Sequence, residues 1–125
     1  MALRDLAASR ASVNEETIEA LIGEFIRYDV NDGLIVLTPE ASRLSIRSKI
    51  LVFLTANEGW CYVVEQKKGA GVAPKEMEEP LGLKGSSLRA KLVELVRENL
   101  IKKDGKGYRI VAANLQKVRA EVLGR

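Results

Sequence analysis

Apolar positions fall into helical and strand-like runs separated by turn residues. Ile18, Leu21, Ile22, Phe25 and Ile26 recur at i, i+3, i+4, i+7 and i+8, the spacing of one buried helix face. Ser12 or Asn14 can cap that helix, and Glu15 and Glu16 suit the positive end of its dipole. Ahead of it, Leu3, Leu6 and Ala7 support only a short amphipathic turn or two. Asn31-Asp32-Gly33 carries turn chemistry, and residues 34–38 (LIVLT) form the most strand-like run in the chain. Residues 26–30 can pair with that run as a short hairpin, and Pro39 ends it.

A second helix is predicted over residues 40–57, with Leu44, Ile46, Ile50, Leu51, Phe53 and Leu54 mostly inward. Gly59 suits the left-handed position after its last turn. Residues 60–64 are apolar and aromatic, compatible with a strand or a continued buried helix. Cys61, between Trp60 and Tyr62, is expected as a small core residue. Residues 66–74 read as a loop loosened by Gly69 and Gly71.

Beyond Pro74, which can open a short helix over residues 75–80, the pattern sharpens. Leu81-Gly82-Leu83 is a turn between two apolar anchors. Lys84-Gly85-Ser86-Ser87 begins a long helix whose Leu88, Leu92, Leu95 and Val96 point one way, with Ser86 or Ser87 as candidate cap. That helix ends at Glu98-Asn99. Residues 100–103, 104–107 and 108–111 read as strand, tight turn and strand. Leu115, Val118, Val122 and Leu123 predict a last amphipathic helix.

Composition narrows the chemistry. The 125 residues, 46% hydrophobic and 30% charged, suit one compact domain. With no His and one Cys there is no His/Cys zinc site, Ser-His-Asp triad, Cys-His pair or internal disulfide. The acids lie scattered on polar helix faces, and Gly69-Ala70-Gly71 lacks the Lys-Ser/Thr of a phosphate-binding loop. A non-enzyme without cofactor or metal is expected. The first residues, MALRDLAASR, carry no long apolar core, and no run of about 18 apolar residues occurs. A cytoplasmic protein with no membrane partner is the expectation.

The segment PKEMEEPLGLKGSSLRAKLVELVRENLIKKDGKGYRI, residues 74–110, resembles the winged helix-turn-helix superfamily as found in bacterial and archaeal transcription regulators. The resemblance rests on the L-G-L turn at 81–83, the polar start of the following helix at 84–87 and its Leu/Val ladder. The E-N-L-I-K-K-D-G-K-G-Y junction into a basic hairpin completes it. With the helix at 43–57 as first helix, it covers residues 43–111. It implies an α+β fold: residues 1–42 as a helix-hairpin extension, 43–111 as the winged helix-turn-helix domain, 112–125 as a terminal helix.

The resemblance also implies that the helix starting at Lys84 enters a DNA major groove, with Lys84, Ser86, Ser87, Arg89 and Lys91 at its exposed end. Arg89 is the first candidate for a base contact, since a guanidinium bonds bidentately to guanine; Lys84 and Lys91 suit phosphate better. On the wing, Lys102, Lys103, Lys106 and Arg109 would hold phosphates or reach the minor groove, while Tyr108 packs on the hairpin.

Charge supports that placement. The chain carries 20 Lys and Arg against 17 Asp and Glu, a mild +3. Residues 1–83 hold 9 basic and 13 acidic side chains, residues 84–109 hold 8 and 3, and residues 110–125 hold 3 and 1. If about six cations meet phosphates, affinity should fall with salt at a log–log slope of roughly −5. Three features temper this. Pro80 keeps the second helix short, Glu76, Glu78 and Glu79 make it acidic, and Ala90 stands where relatives offer a polar or basic side chain. A protein-interaction or RNA/ribosome-associated winged helix without sequence-specific DNA binding is the alternative.

Residues 21–37 run parallel to residues 95–111, both reading helix, strand, Asp/Gly turn, strand. Too few residues precede position 21 for a complete second winged helix, and Arg27, Tyr28 and Asp29 are less basic than their counterparts. The apolar stripes of the first and last helices are candidate surfaces for a homodimer on two half-sites.

Overall fold

The computed structural model describes residues 15–64 and 71–124. The candidate caps Ser12 and Asn14, Leu3, Leu6 and Ala7, and most of the 66–74 loop lie outside those residues. Helix α1 runs through residues 15–22 and leads into an antiparallel hairpin, β1 (Ile26–Asp29) and β2 (Leu34–Leu37). Ile18, Leu21, Ile22, Phe25 and Ile26 are all buried, as their spacing requires. Asp29 shapes the turn by accepting from the backbone N–H groups of Asn31 and Asp32, both at 3.1 Å.

The second helix is shorter than its sequence suggests. Pro39–Arg43 is a 3-10 turn, Leu44 is extended, and the α-helix α2 spans Ile46–Glu58. Ser45 caps it, its hydroxyl accepting from Ser48 N–H at 3.1 Å. From Ile50 to Asn57 every residue is buried, so α2 is the central rod, touching β1, β2, β4, α5 and α6. Ile46 and Leu44, by contrast, are half-buried. The hydroxyl of buried Thr55 is satisfied by Leu51 C=O at 2.7 Å.

Gly59 does not adopt the left-handed conformation; at φ −78° it passes the chain into a one-turn helix, α3 (Trp60–Val63). Trp60 is buried, and its ring meets Tyr28 edge-on with centroids 4.8 Å apart. Anchoring Trp60 turns the rest of this turn outward: Cys61, Tyr62 and Val63 are exposed. Cys61 is therefore not the core residue its apolar neighbours suggest.

Gly71 begins the next described stretch and is half-buried against the second hairpin rather than loosening a loop. Val72 exchanges two backbone hydrogen bonds with Tyr108, each 2.9 Å. Helix α4 (Pro74–Leu81) follows and closes in a Schellman motif. There Leu83 N–H bonds Glu78 C=O (3.0 Å) and Gly82 N–H bonds Glu79 C=O (3.2 Å), with Gly82 at φ 64°. Pro80 lies in that last turn and removes one backbone donor from it, in keeping with a short helix.

Helix α5 (Gly85–Arg97) buries Leu88, Leu92 and Leu95 against α2 and α4; Val96 is half-buried. A second Schellman motif ends it. Asn99 is the left-handed residue at φ 62°, and Leu100 N–H bonds Leu95 C=O at 3.1 Å. The antiparallel hairpin β3 (Ile101–Asp104) and β4 (Gly107–Ile110) follows, then a 3-10 turn, Ala112–Asn114, and α6 (Leu115–Leu123).

The two helix–hairpin units share a detail at their bases. Thr38 N–H bonds Phe25 C=O at 2.8 Å, and Val111 N–H bonds Leu100 C=O at 3.0 Å, closing each hairpin at its base. The stripes of α1 and α6 offered as pairing surfaces are buried in the chain's own core through Ile18, Leu21, Ile22, Leu115 and Val118. Gln116 Nε2 also donates to Thr17 Oγ1 between them at 3.3 Å. The fold is α+β: helices around α2 with two small separate hairpins. Among the described residues no helix is long and apolar enough to cross a membrane.

Candidate nucleic-acid interface

The candidate residues lie on two elements, α5 and the β3–β4 hairpin. Lys84 is the N-terminal boundary residue of α5, with extended backbone, and its side chain makes no capping bond. Ser86 and Ser87 sit inside the first turn, exposed, and neither caps the helix. Capping is thus not their role, and their hydroxyls face solvent. Arg89 is exposed; Lys91 is half-buried and pairs with Glu94 at 3.1 Å, an i,i+3 surface bridge worth little.

On the hairpin, Lys102, Lys103 and Lys106 are exposed. Pairing registers Lys102 with Arg109 and Lys103 with Tyr108. Side chains alternate across a strand, so Lys102 and Lys103 leave on opposite faces of the hairpin, with Lys106 at its turn. The cations therefore surround the tip rather than forming one row. Tyr108 is half-buried and packs against the hydrophobic core, further inward than the hairpin contact its sequence suggests.

Arg109 differs from the rest. Its Nε and Nη2 donate to the two oxygens of Glu58 at 2.8 and 2.9 Å, and Asp104 lies 3.5 Å from Nη1. These partners, Glu58 foremost, raise its already high pKa. Arg109 ties the hairpin to the end of α2, while Lys84, Arg89, Lys102, Lys103 and Lys106 make no ion pair among the described residues.

The acidic residues of α4 divide. Glu76 and Glu79 line a groove beside β2 with Leu34, Val36 and Pro80. Glu78 turns toward the start of α5, where a Cβ built on Gly85 would stand 3.0 Å from its carboxylate. The positive end of α5 thus has an acid beside it, which opposes phosphate there.

A polar cluster absent from the sequence-derived candidates completes the picture. Arg47, at the start of α2, bonds Glu98 (Nη2–Oε1 2.8 Å), Glu121 (Nη2–Oε1 2.6 Å) and, more loosely, Glu94 (Nη1–Oε1 3.4 Å). It joins α2, α5 and α6. Hydrogen bonding to Arg47 holds the Glu98 carboxyl below its usual range; Glu94 is lowered first by Lys91 and then by Arg47. Both acids of α5 are thereby gathered to one flank. Val93 and Arg97, also outside those candidates, are exposed on the helix; their place off the leucine ladder is the sequence signal that singles them out. Compared with protein-family models, curated proteins and solved structures, the chain matches none.

Proposed function

We propose that this chain is a winged-helix DNA-binding protein, acting as a transcription regulator or chromatin-associated factor. On this reading α2, α4 and α5 are the three helices, with α5 in the major groove and β3–β4 as the wing on the backbone or minor groove. The observation that carries it is the path of the chain: α2, the Val72 bridge onto β4, α4, α5, then a hairpin whose tip is ringed by unpaired lysines. Lys84, Arg89, Lys102, Lys103 and Lys106 supply the cations for phosphate and base, while Arg109 braces the wing.

Mobility shift with duplex DNA at 50 and 200 mM salt tests this. Five phosphate contacts correspond to a log–log slope of about −4 to −5. Affinity should collapse in Lys103→Glu/Lys106→Glu; absence of any shift at 50 mM salt would overturn the proposal. A homodimer on two half-sites belongs to the same reading, but its contact must come from outside the buried α1 and α6 stripes. Light scattering that gives 13.8 kDa at high concentration removes it.

One observation favours a protein-interaction role instead. Val30, Leu34 and Val36 are about half exposed, and the last two edge a groove of about 650 Å³ beside Glu76 and Glu79. Such a surface suits a protein partner better than phosphate.

A further inference from the structure

The most outward stripe of helix α5 has a small apolar centre, and the carboxylate at its edge, Glu94, is tied aside. Leu88, Leu92 and Leu95 define the core-facing direction. At 3.6 residues per turn, Ser86, Ala90, Val93 and Arg97 point within about 50° of the opposite direction, whereas Arg89 lies almost 90° aside. All four are exposed, Val93 at 55%. Glu94, on the flank, is drawn to Lys91 and Arg47, and Glu98 to Arg47.

An exposed valine with alanine one turn before it is a two-residue apolar spot, bounded by Ser86 and Arg97 along the helix, by Arg89 on one side and by the Lys91-paired Glu94 on the other. That is too small, and too charged at its edges, for a protein interface, whose centre is depleted of charge. It matches the one apolar group in the major groove, the C5-methyl of thymine. From Ser86 to Arg97 the stripe spans about 16 Å along the helix, long enough for Ala90 and Val93 to lie over base edges with Arg97 beyond them.

Resting on the DNA-binding reading above, we infer that Ala90 and Val93 read thymine methyl groups, making this chain selective for T-containing sites through α5 rather than for guanine through Arg89. Each buried methyl is worth about fourfold in affinity, so two give about fifteenfold.

The test uses fluorescence anisotropy with a 24-base-pair A·T duplex and the same duplex bearing deoxyuridine in place of every thymidine. Expected is about fifteenfold weaker binding to the deoxyuridine duplex, with Val93→Ser binding thymidine DNA about fourfold more weakly and discriminating less. Lys103→Glu/Lys106→Glu should weaken both duplexes alike. Equal binding of the two duplexes by the unaltered chain overturns the inference while leaving DNA binding intact. No binding to either, or preference for the matching RNA duplex, overturns the DNA reading itself.

Discussion

Arg109 grips Glu58 through two parallel hydrogen bonds, 2.8 and 2.9 Å, across 51 positions of sequence. A bidentate guanidinium–carboxylate pair holds orientation as well as charge. Glu58 keeps only 19% of its side chain exposed, so losing its partner leaves a mostly covered carboxylate unsatisfied. Because Arg109 is a third exposed, solvent screening reduces the effect. Arg109→Gln should therefore cost about 1–2 kcal/mol in urea unfolding, and Glu58→Gln a similar amount. The double variant should cost less than the sum, as expected of one coupled pair. Lys103→Glu/Lys106→Glu should leave stability nearly unchanged, separating the brace from the surface cations.

Where the second hairpin meets residues 71–72, the backbones approach too closely for a side chain. A Cβ on Gly107 would lie 2.5 Å from Gly71 C and 2.6 Å from Val72 N, atoms that cannot swing aside. Gly107→Ala should cost about 3 kcal/mol by overpacking. It should also break the paired Val72 and Tyr108 bonds, so hydrogen exchange at those two amides should accelerate more than at Leu92. Equal protection at all three in the variant would show the contact to be soft.

The long periodic elements were legible, because a leucine ladder over 13 residues leaves one direction for the core. Helices α5 and α6 and both hairpins follow from spacing and turn residues. Cys61 was not legible: four residues make barely one helical turn, and only the Trp60–Tyr28 contact decides which way that turn faces. Arg109 reads as one more wing cation until Glu58 is brought to it by the packing of α2 on β4. Arg47 was missed for the same reason: its three carboxylates come from helices that meet only in the fold. Outward positions on α5 were readable from the helical wheel, but which acids were tied away from them was not.

The Arg47 cluster makes stability depend on acid in a defined direction. Glu98 and Glu94 are held below the ordinary carboxyl value of 4.5. Their pairing therefore stabilises the fold above that value and is lost as pH falls through the lower folded-state values. In Arg47→Gln, Glu98 loses its cation and Glu94 keeps only Lys91, so the variant lacks that pairing at neutral pH and has less of it to lose in acid. Urea midpoints at pH 7, 5 and 3.5 should show the unaltered chain losing stability toward acid, with the gap to Arg47→Gln closing. A constant gap would mean that Arg47 acts by packing alone.

Asn99 sets the exit of α5 toward the basic hairpin. Its φ of 62° lets Leu100 N–H reach Leu95 C=O, and both leucines are buried in the core. The corresponding exit of α1, at Gly23, keeps Gly23 N–H on Glu19 C=O at 2.9 Å and uses no left-handed residue. The two helix–hairpin units thus turn by different means, and only the second depends on a residue that tolerates positive φ. Asn99→Gly should hold or raise stability by up to about 1 kcal/mol, and Asn99→Val should lower it by about 1–2 kcal/mol. The bond from Asn114 Nδ2 goes to the backbone oxygen of Asn99 and survives both changes, so the comparison isolates conformation. Hydrogen exchange in Asn99→Val should rise across residues 100–110 more than in β1–β2, since the strain enters where α5 hands over to β3.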